Sequence, residues 1–188
     1  MRNRIAITGG IGSGKSYVCS KLRQHGIEIY DCDAAAKRLI AGCGDLQRKL
    51  TELIGPDTFV DGKLNKTVVT RFLMASEDNT QAINSIVHPA VADDFLRSGC
   101  RWMECAILYE SGFNRLVDYV IAVTAPVEVR LQRIQRRDGI SCQKAREWIE
   151  RQMSQEQVAS HADYVIPNDG ITDIDREINR LLTSLSIE

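Results

Sequence analysis

Short apolar runs recur along the chain, separated by stretches with helical periodicity. Five runs rich in β-branched and aromatic residues predict β-strands over 5–8, 27–30, 103–109, 119–124 and 163–166. Polar or helix-starting residues follow each run in place of a two-residue hairpin turn, so we expect crossovers and parallel strands. The pattern therefore predicts an α/β fold with a five-stranded parallel sheet.

Helical patterns fill the stretches between these strands. Residues 34–100 carry several helical segments with turns at 55–57 and 61–62, and no strand is predicted there. Further helices are predicted over 15–25, from Pro126 in a first turn to 138–139, over 143–160 and from Thr172 onward. The pattern predicts one domain over 1–188, with a core of 1–33 and 101–188, a helical insertion at 34–100 and a second helical excursion at 138–160.

The composition is that of an ordinary globular protein, with 44% hydrophobic and 26% charged residues among 188. The net charge of −1 argues against a nucleic-acid coat protein and a polybasic membrane binder. No stretch approaches the roughly 18 apolar residues of a membrane span, and the first apolar run is too short for a signal peptide. The six cysteines lack C-x-x-C spacing, so we expect reduced thiols, which fit a cytoplasmic protein. We also expect a monomer or a small homo-oligomer.

Residues 9–16, Gly-Gly-Ile-Gly-Ser-Gly-Lys-Ser, match the phosphate-binding motif G-x-x-x-x-G-K-[ST] between a predicted strand and a predicted helix. Glycines let successive backbone N–H groups turn toward a phosphate, and the helix start adds its dipole. Lys15 would reach the β- and γ-phosphates, and the Ser16 hydroxyl would bind Mg²⁺. The residues expected to contact the nucleotide here are Gly10, Ile11, Gly12, Ser13, Gly14, Lys15, Ser16 and Tyr17.

A nucleotide site alone does not separate a GTPase, a motor ATPase and a small-molecule kinase. The base-reading Asn-Lys-x-Asp of GTPases is absent, because Thr67 and Val68 follow Asn65-Lys66. No apolar strand ends in the Asp-Glu pair that is typical of motor ATPases. These absences favour a phosphotransferase similar to nucleoside monophosphate kinases, which needs an acceptor site and a lid that excludes water.

Two carboxylates end the second predicted strand, in Tyr30-Asp31-Cys32-Asp33. On a continuing strand Asp31 and Asp33 would face the same side, at the end of the sheet where ligands bind. One would accept the proton of an attacking hydroxyl, and the other would orient water bound to Mg²⁺. The alternative is that Asp33 merely N-caps the following helix, and the residues alone do not decide.

A basic segment, 130–151, is the predicted lid. Arg130, Arg133 and Arg137 recur at helical spacing on one face, where they would clamp the transferring phosphates. A solvated basic helix face is the alternative interpretation.

Several motifs spread over nearly the whole chain resemble those of the dephospho-CoA kinase family. Residues 7–16 resemble its particular phosphate-binding loop, and Asp31-Cys32-Asp33 resembles its Asp-x-Asp. Further matches are 61–66, His88-Pro89, Arg133 with Arg137-Asp138, Gln152, and 162–170 with Asn168 and Gly170.

The resemblance implies a P-loop NTPase three-layer fold with sheet order 2-3-1-4-5, a helical CoA-binding insertion and a lid. It implies phosphorylation of the ribose 3′-hydroxyl of dephospho-CoA, with ATP and Mg²⁺, to give CoA and ADP. The implied roles are catalysis by Asp33, Lys15, Arg133 and Arg137; metal binding by Ser16 and, through water, Asp31; acceptor binding by Asp31, Asp33, Lys66, His88 and Glu110; and adenine contact by Asn168 and Gly170.

Three residues depart from the family pattern. Tyr17 stands where Thr is usual, Ala106 where Pro is usual, and Lys66 where Arg would offer a bidentate fork. Two other functions stay open as alternatives: a kinase for another small acceptor, such as a nucleoside monophosphate, and a nucleotide-binding module that changes shape without transferring phosphate.

Overall fold

The computed structural model describes residues 3–185. The chain divides into two compact units, which we call the core unit, Met1–Tyr30 with Cys100–Glu188, and the helical unit, Asp31–Gly99. The strands are β1 (Ile5–Thr8), β2 (Ile29–Asp31), β3 (Phe59–Val60), β4 (Lys63–Leu64), β5 (Trp102–Glu104), β6 (Tyr119–Thr124) and β7 (Tyr164–Pro167). The helices are α1 (Lys15–Gln24), α2 (Cys32–Gly42), α3 (Gly44–Ile54), α4 (Lys66–Ala75), α5 (Glu77–Ser98), α6 (Val127–Asp138), α7 (Cys142–Glu150), α8 (Gln155–Ser160) and α9 (Ile174–Leu185).

The main sheet has five strands in the order β2-β5-β1-β6-β7, and β1 pairs in parallel with both β5 and β6. The predicted α/β class with a five-stranded parallel sheet is confirmed. When all strands are numbered along the chain, the observed order is 2-5-1-6-7, which differs from the predicted 2-3-1-4-5. The numbers differ because the two strands of a short antiparallel hairpin, β3 and β4, come before the third strand of the main sheet. The prediction of no strand within 34–100 was therefore wrong, since two-residue strands leave no periodicity to detect.

The buried core of the core unit explains why the strands read as apolar runs. All four residues of β1 are buried, as are Val18 and Leu22 of α1 and Ile178 and Leu181 of α9. Helices α1 and α9 pack together on this cluster. The loop after β1 therefore follows a strand that is held rigidly in the packed core.

Three predicted boundaries were wrong for local reasons. The third sheet strand ends at Glu104 rather than at residue 109. The helix predicted over 143–160 is two helices, because Ser154 forms a capping box with Gln157 that starts α8 anew. The last helix begins at Ile174 and not at Thr172, and Asp173 accepts a hydrogen bond from the Arg176 N–H at its start.

The helical unit is organised around α5, which packs against α2, α3 and α4. Its buried apolar residues on α3 and α5 are Leu46, Leu50, Val87, Val91 and Phe95. The hairpin turn between β3 and β4 uses positive φ angles at Asp61 and Gly62, which is the geometry that the Asp-Gly pair favours. Within residues 3–185, no helix combines the length and the apolarity that a membrane span requires.

Candidate active site

The phosphate-binding motif lies between β1 and α1, in the context that the sequence predicts. Gly14 N-caps α1 with a φ of 90°, so Lys15 and Ser16 occupy the first turn of the helix. The N-terminus and the positive dipole end of α1 therefore lie at the loop, where an anionic ligand is stabilised.

Side chains from distant parts of the chain donate hydrogen bonds to the carbonyl groups of this loop. Arg130 Nε lies 2.9 Å from the Ile11 carbonyl oxygen, and Asn168 Nδ2 lies 2.9 Å from that of Ser13. Arg133 Nη1 also donates to the Ser13 carbonyl, at 3.2 Å. The Ile11 N–H donates in turn to Gln152 Oε1 at 2.7 Å, so the backbone of the loop is held in one shape by side chains from distant parts of the chain.

Two motif glycines are required because these supports approach the backbone closely. A Cβ atom on Gly14 would collide with Asn168 Nδ2, and a positive φ at this position already disfavours other residues. A Cβ atom on Gly12 would lie 2.8 Å from the backbone oxygen of Arg130. The glycine spacing of the motif therefore reflects contacts with α6 and with the residue after β7.

Glu104, the last residue of β5, is a site residue that the sequence pattern does not predict. Ser16 Oγ donates a hydrogen bond to Glu104 Oε1 at 2.9 Å, and Glu104 is in register with Ile7 of β1. Burial, followed by the nearby Glu104 charge, raises the pKa of the Cys19 thiol, so Cys19 stays protonated. The signal was a carboxylate ending a strand, but the prediction of a longer strand concealed it.

The structure separates the two carboxylates of the Asp-x-Asp. Asp31 N-caps α2, and its Oδ1 accepts a hydrogen bond from the Ala34 N–H at 2.9 Å. Asp33 is exposed in the first turn of α2. The expectation of a continuing strand was wrong, because α2 begins at Cys32. The alternative that Asp33 caps the helix was also wrong, because the N-cap residue is Asp31.

The three arginines of α6 have different surroundings, although their spacing is regular. Arg130 is 4% exposed, and burial lowers the pKa of its guanidinium. Arg133 contacts the loop carbonyls and also donates to Asn168 Oδ1 at 3.3 Å. Arg137 instead pairs with Asp138 at 2.7 Å, and this hydrogen-bonded pairing raises the pKa of the guanidinium. The structure thus brings Arg130 and Arg133 to the loop, while Arg137 is held at the end of the helix.

The remaining predicted residues of the core unit are Tyr17, Asn168, Gly170 and Glu110, and each has different surroundings. Tyr17 is 50% exposed, and Lys21 Nζ lies 5.8 Å from the centre of its ring. Asn168 is buried, whereas Gly170 lies in a turn that Asp169 stabilises by accepting hydrogen bonds from the next backbone N–H groups. Glu110 Oε1 accepts a hydrogen bond from the Met153 N–H at 3.2 Å.

Lys66 and His88 lie on different helices of the helical unit. Lys66 is the first residue of α4, which Asn65 N-caps, and it borders a groove of about 670 Å³ together with Thr67, Thr70, Arg71, Met74 and Ala75. His88 lies on α5 next to Pro89, and burial lowers the pKa of its imidazole. Arg71, which the sequence analysis did not single out, adds a second cation to this groove.

Comparison with known proteins shows what the chain is similar to. Residues 3–173 match the family model described as dephospho-CoA kinase. The dephospho-CoA kinase of Bacteroides fragilis is 38% identical over 98% of this chain and 94% of that relative. Among solved structures, a Thermus thermophilus protein has a TM-score of 0.84 at 29% identity, covering 98% of both chains. A Campylobacter jejuni dephospho-CoA kinase has a TM-score of 0.70 at 20% identity over 99% of this chain and 98% of its own.

Proposed function

The chain belongs to the dephospho-CoA kinase family, and we propose that it transfers the γ-phosphoryl group of ATP to the ribose 3′-hydroxyl of dephospho-CoA. The products are CoA and ADP, and the reaction is the last step of CoA biosynthesis. The observation that carries this proposal is the phosphate-binding loop, held by Arg130, Arg133 and Asn168, in a chain that matches the family over 3–173.

ATP binds with its phosphates against the inner side of the loop. Backbone N–H groups of the loop and the dipole of α1 hold the β- and γ-phosphates, and Lys15 adds a positive charge. The Ile11 N–H is not among them, because it donates to Gln152. Asn168 and Gly170 border the adenine, and Tyr17, whose ring is exposed, contacts the nucleotide from the first turn of α1.

The oxygen atoms of Ser16 and Glu104 suit Mg²⁺, which prefers hard oxygen ligands and is held largely by substrate phosphates and water. Within residues 3–185 no group of three or more His, Cys, Asp or Glu side chains is placed to hold a metal ion. Ser16 would bind the ion, and Glu104 and Asp31 would orient its water ligands. When bound, Mg²⁺ neutralises the charge on the transferring phosphates.

Asp33 acts as the general base. It accepts the proton of the acceptor hydroxyl as that oxygen bonds to the γ-phosphorus and the bond from phosphorus to ADP breaks. The exposure of Asp33 on α2 leaves its carboxylate accessible to a substrate. Arg133 and Arg137 stabilise the charge of the transferring group, and for Arg137 the phosphates compete with Asp138.

Lys66, His88 and Glu110, with the Asp31–Asp33 pair, bind the acceptor. The groove beside α4 supports this role for Lys66, because a diphosphate ester needs cations and Lys66 and Arg71 supply two. A cytoplasmic location fits the six cysteines, all of which are free thiols.

A panel of acceptors tests this proposal. ADP release is measured with Mg-ATP and, in turn, dephospho-CoA, adenosine monophosphate and no acceptor. We expect turnover to depend on dephospho-CoA. Preference for the monophosphate would assign a different kinase, and nucleotide binding without acceptor-dependent turnover would indicate a binding module.

A further inference from the structure

We propose that Gln152 is a positioning residue of the phosphate-binding loop, which fastens the segment 151–154 between α7 and α8 to the backbone of Ile11. This inference rests on the nucleotide-binding part of the proposed function and not on the identity of the acceptor. Gln152 touches the loop and not the reacting atoms, so its role is to hold the loop in shape and to link it to the predicted lid.

The backbone of Ile11 is held from both sides. Its N–H donates to Gln152 Oε1 at 2.7 Å, and its carbonyl oxygen accepts from Arg130 Nε at 2.9 Å. The two partners come from different elements, because Arg130 lies on α6 and Gln152 follows α7. Rotation of either peptide group that flanks Ile11 would break one of these hydrogen bonds, so the pair fixes the path of the loop at its centre.

The segment that carries Gln152 is itself anchored on both sides. The Met153 N–H donates to Glu110 Oε1 at 3.2 Å, and Ser154 starts α8 with a capping box. Gln155 Oε1 accepts a hydrogen bond from the Ala125 N–H at 2.8 Å, next to the start of α6. These neighbours fix the backbone from which the Gln152 side chain extends, so its amide reaches the loop from a rigid base.

The chemistry of glutamine suits this position. Its amide oxygen accepts the Ile11 N–H without bringing a negative charge to a loop that binds a triphosphate. The same oxygen would lie 3.3 Å from a Cβ atom on Gly10, so it lies against a second residue of the motif. A carboxylate in its place would retain the acceptor but repel the nucleotide phosphates.

The contact implies reciprocal coupling between the loop and the α7–α8 segment. If phosphate binding favours the loop conformation that the Gln152 hydrogen bond stabilises, then it also favours the position of 151–154 in which Gln152 makes that bond. The coupling free energy is the same in both directions. Binding of ADP should therefore slow backbone amide exchange in α7 and in 151–154.

The test compares two glutamines of the α7–α8 region. Gln152→Met removes the acceptor with little change in volume, and Gln143→Met makes the same replacement at an exposed glutamine of α7. ADP affinity is measured by calorimetry and ADP-dependent protection by hydrogen exchange. We expect Gln152→Met to weaken ADP binding about tenfold and to abolish the protection of α7, because the Ile11 N–H loses its partner. Gln143→Met should retain ADP affinity within about twofold, and equal effects of the two variants would overturn the proposal.

A charge variant keeps the proposal testable if Gln152→Met does not fold. Gln152→Glu retains an acceptor for Ile11, so ADP binding should weaken at low ionic strength and recover toward the wild-type affinity at high salt. If Gln152→Glu bound ADP at low salt as tightly as the wild-type protein does, residue 152 would not lie beside the phosphates. Both experiments omit the acceptor, so a wrong assignment of dephospho-CoA would leave their results unchanged.

Discussion

The phosphate-binding loop and the helical unit differ in the sequence separation of the hydrogen bonds that fix them. The loop is held by side chains far away in sequence, since Arg130 and Asn168 lie 119 and 155 residues from the loop residues whose carbonyls they contact. In the helical unit, the helices that carry Lys66 and His88 begin with local caps. Asn65 caps α4 through the Val68 N–H three residues on, and Ser76 caps α5 through the Asn79 N–H.

This difference has a functional consequence. Long-range contacts from α6 and from Asn168, the residue after β7, make the loop a preorganised site, which suits a constant triphosphate ligand. Helices whose ends are fixed by local caps tolerate substitution on their exposed faces without loss of the fold. Substitutions around the loop should therefore alter nucleotide binding, whereas those in the helical unit should alter acceptor use or local stability.

The largest effect, on kcat, is expected from substitution of Asp33, the proposed general base in the helical unit. Asp33→Asn should lower kcat about 10²–10⁴-fold and leave ADP affinity unchanged, because it removes the proton acceptor and no nucleotide contact. Steady-state kinetics and calorimetry measure the two quantities. Asp45→Asn is the matched control, since Asp45 lies in the first turn of α3 as Asp33 does in α2. Normal turnover in Asp33→Asn would remove the base assignment.

Gly14→Ala tests whether the loop is as constrained as its contacts indicate. The added methyl group collides with the buried Asn168 amide, so we expect ADP affinity to fall by about 1–3 kcal/mol. Gly26→Ala is the control, because Gly26 has a similar positive φ of 78° but no atoms near its Cβ position. It should cost stability of about 1–2 kcal/mol and leave ADP binding intact. Similar ADP affinities for the two variants would show that Asn168 does not constrain the loop.

Lys66→Ala separates the two regions kinetically. We expect KM for dephospho-CoA to rise about tenfold, because a charge-assisted contact is lost, while KM for ATP stays unchanged. Lys63→Ala, on the exposed strand β4 of the same unit, should change neither constant. An increase in KM for ATP alone would place Lys66 at the nucleotide instead.

The smallest effect concerns His88. Burial lowers the pKa of His88 below 6.5 in the folded state, so the unfolded chain takes up this proton first as the pH falls. The free energy of unfolding should therefore decline as the pH falls through 6.5 toward the folded-state pKa, with no contribution from His88 well above 6.5. Urea unfolding at a series of pH values measures this, and His88→Gln should flatten the slope. An unchanged slope would mean that burial does not perturb His88.

The sequence was most informative where function depends on local pattern. Residues 9–16 predicted the loop, its strand and its helix, because the motif and both flanking elements are contiguous in the chain. The regular spacing of Arg130, Arg133 and Arg137 predicted a shared helix, α6. It did not predict that Arg130 and Arg133 bond to loop carbonyls while Arg137 pairs with Asp138, because those targets depend on how α6 packs and on a neighbouring acid.

Glu104 and Gln152 show what sequence patterns do not reveal. Glu104 becomes notable only when β5 ends at that residue and pairs with β1, which brings its carboxylate to Ser16. Gln152 contacts Ile11 across 141 residues, and nothing in the local pattern of either residue predicts this. Both contacts follow from tertiary packing, which overrides local propensity.

The proposed reaction is tested most directly by mass spectrometry of the product. Purified protein is incubated with Mg-ATP and dephospho-CoA, with Lys15→Ala as the inactive control, and the acceptor is analysed for the gain of one phosphoryl group. We predict that the wild-type protein converts dephospho-CoA to a species with the mass and fragmentation of CoA, phosphorylated on the ribose, and that Lys15→Ala does so at least about 10²-fold more slowly. Recovery of unmodified dephospho-CoA with the wild-type protein, or equal conversion by Lys15→Ala, would contradict the account.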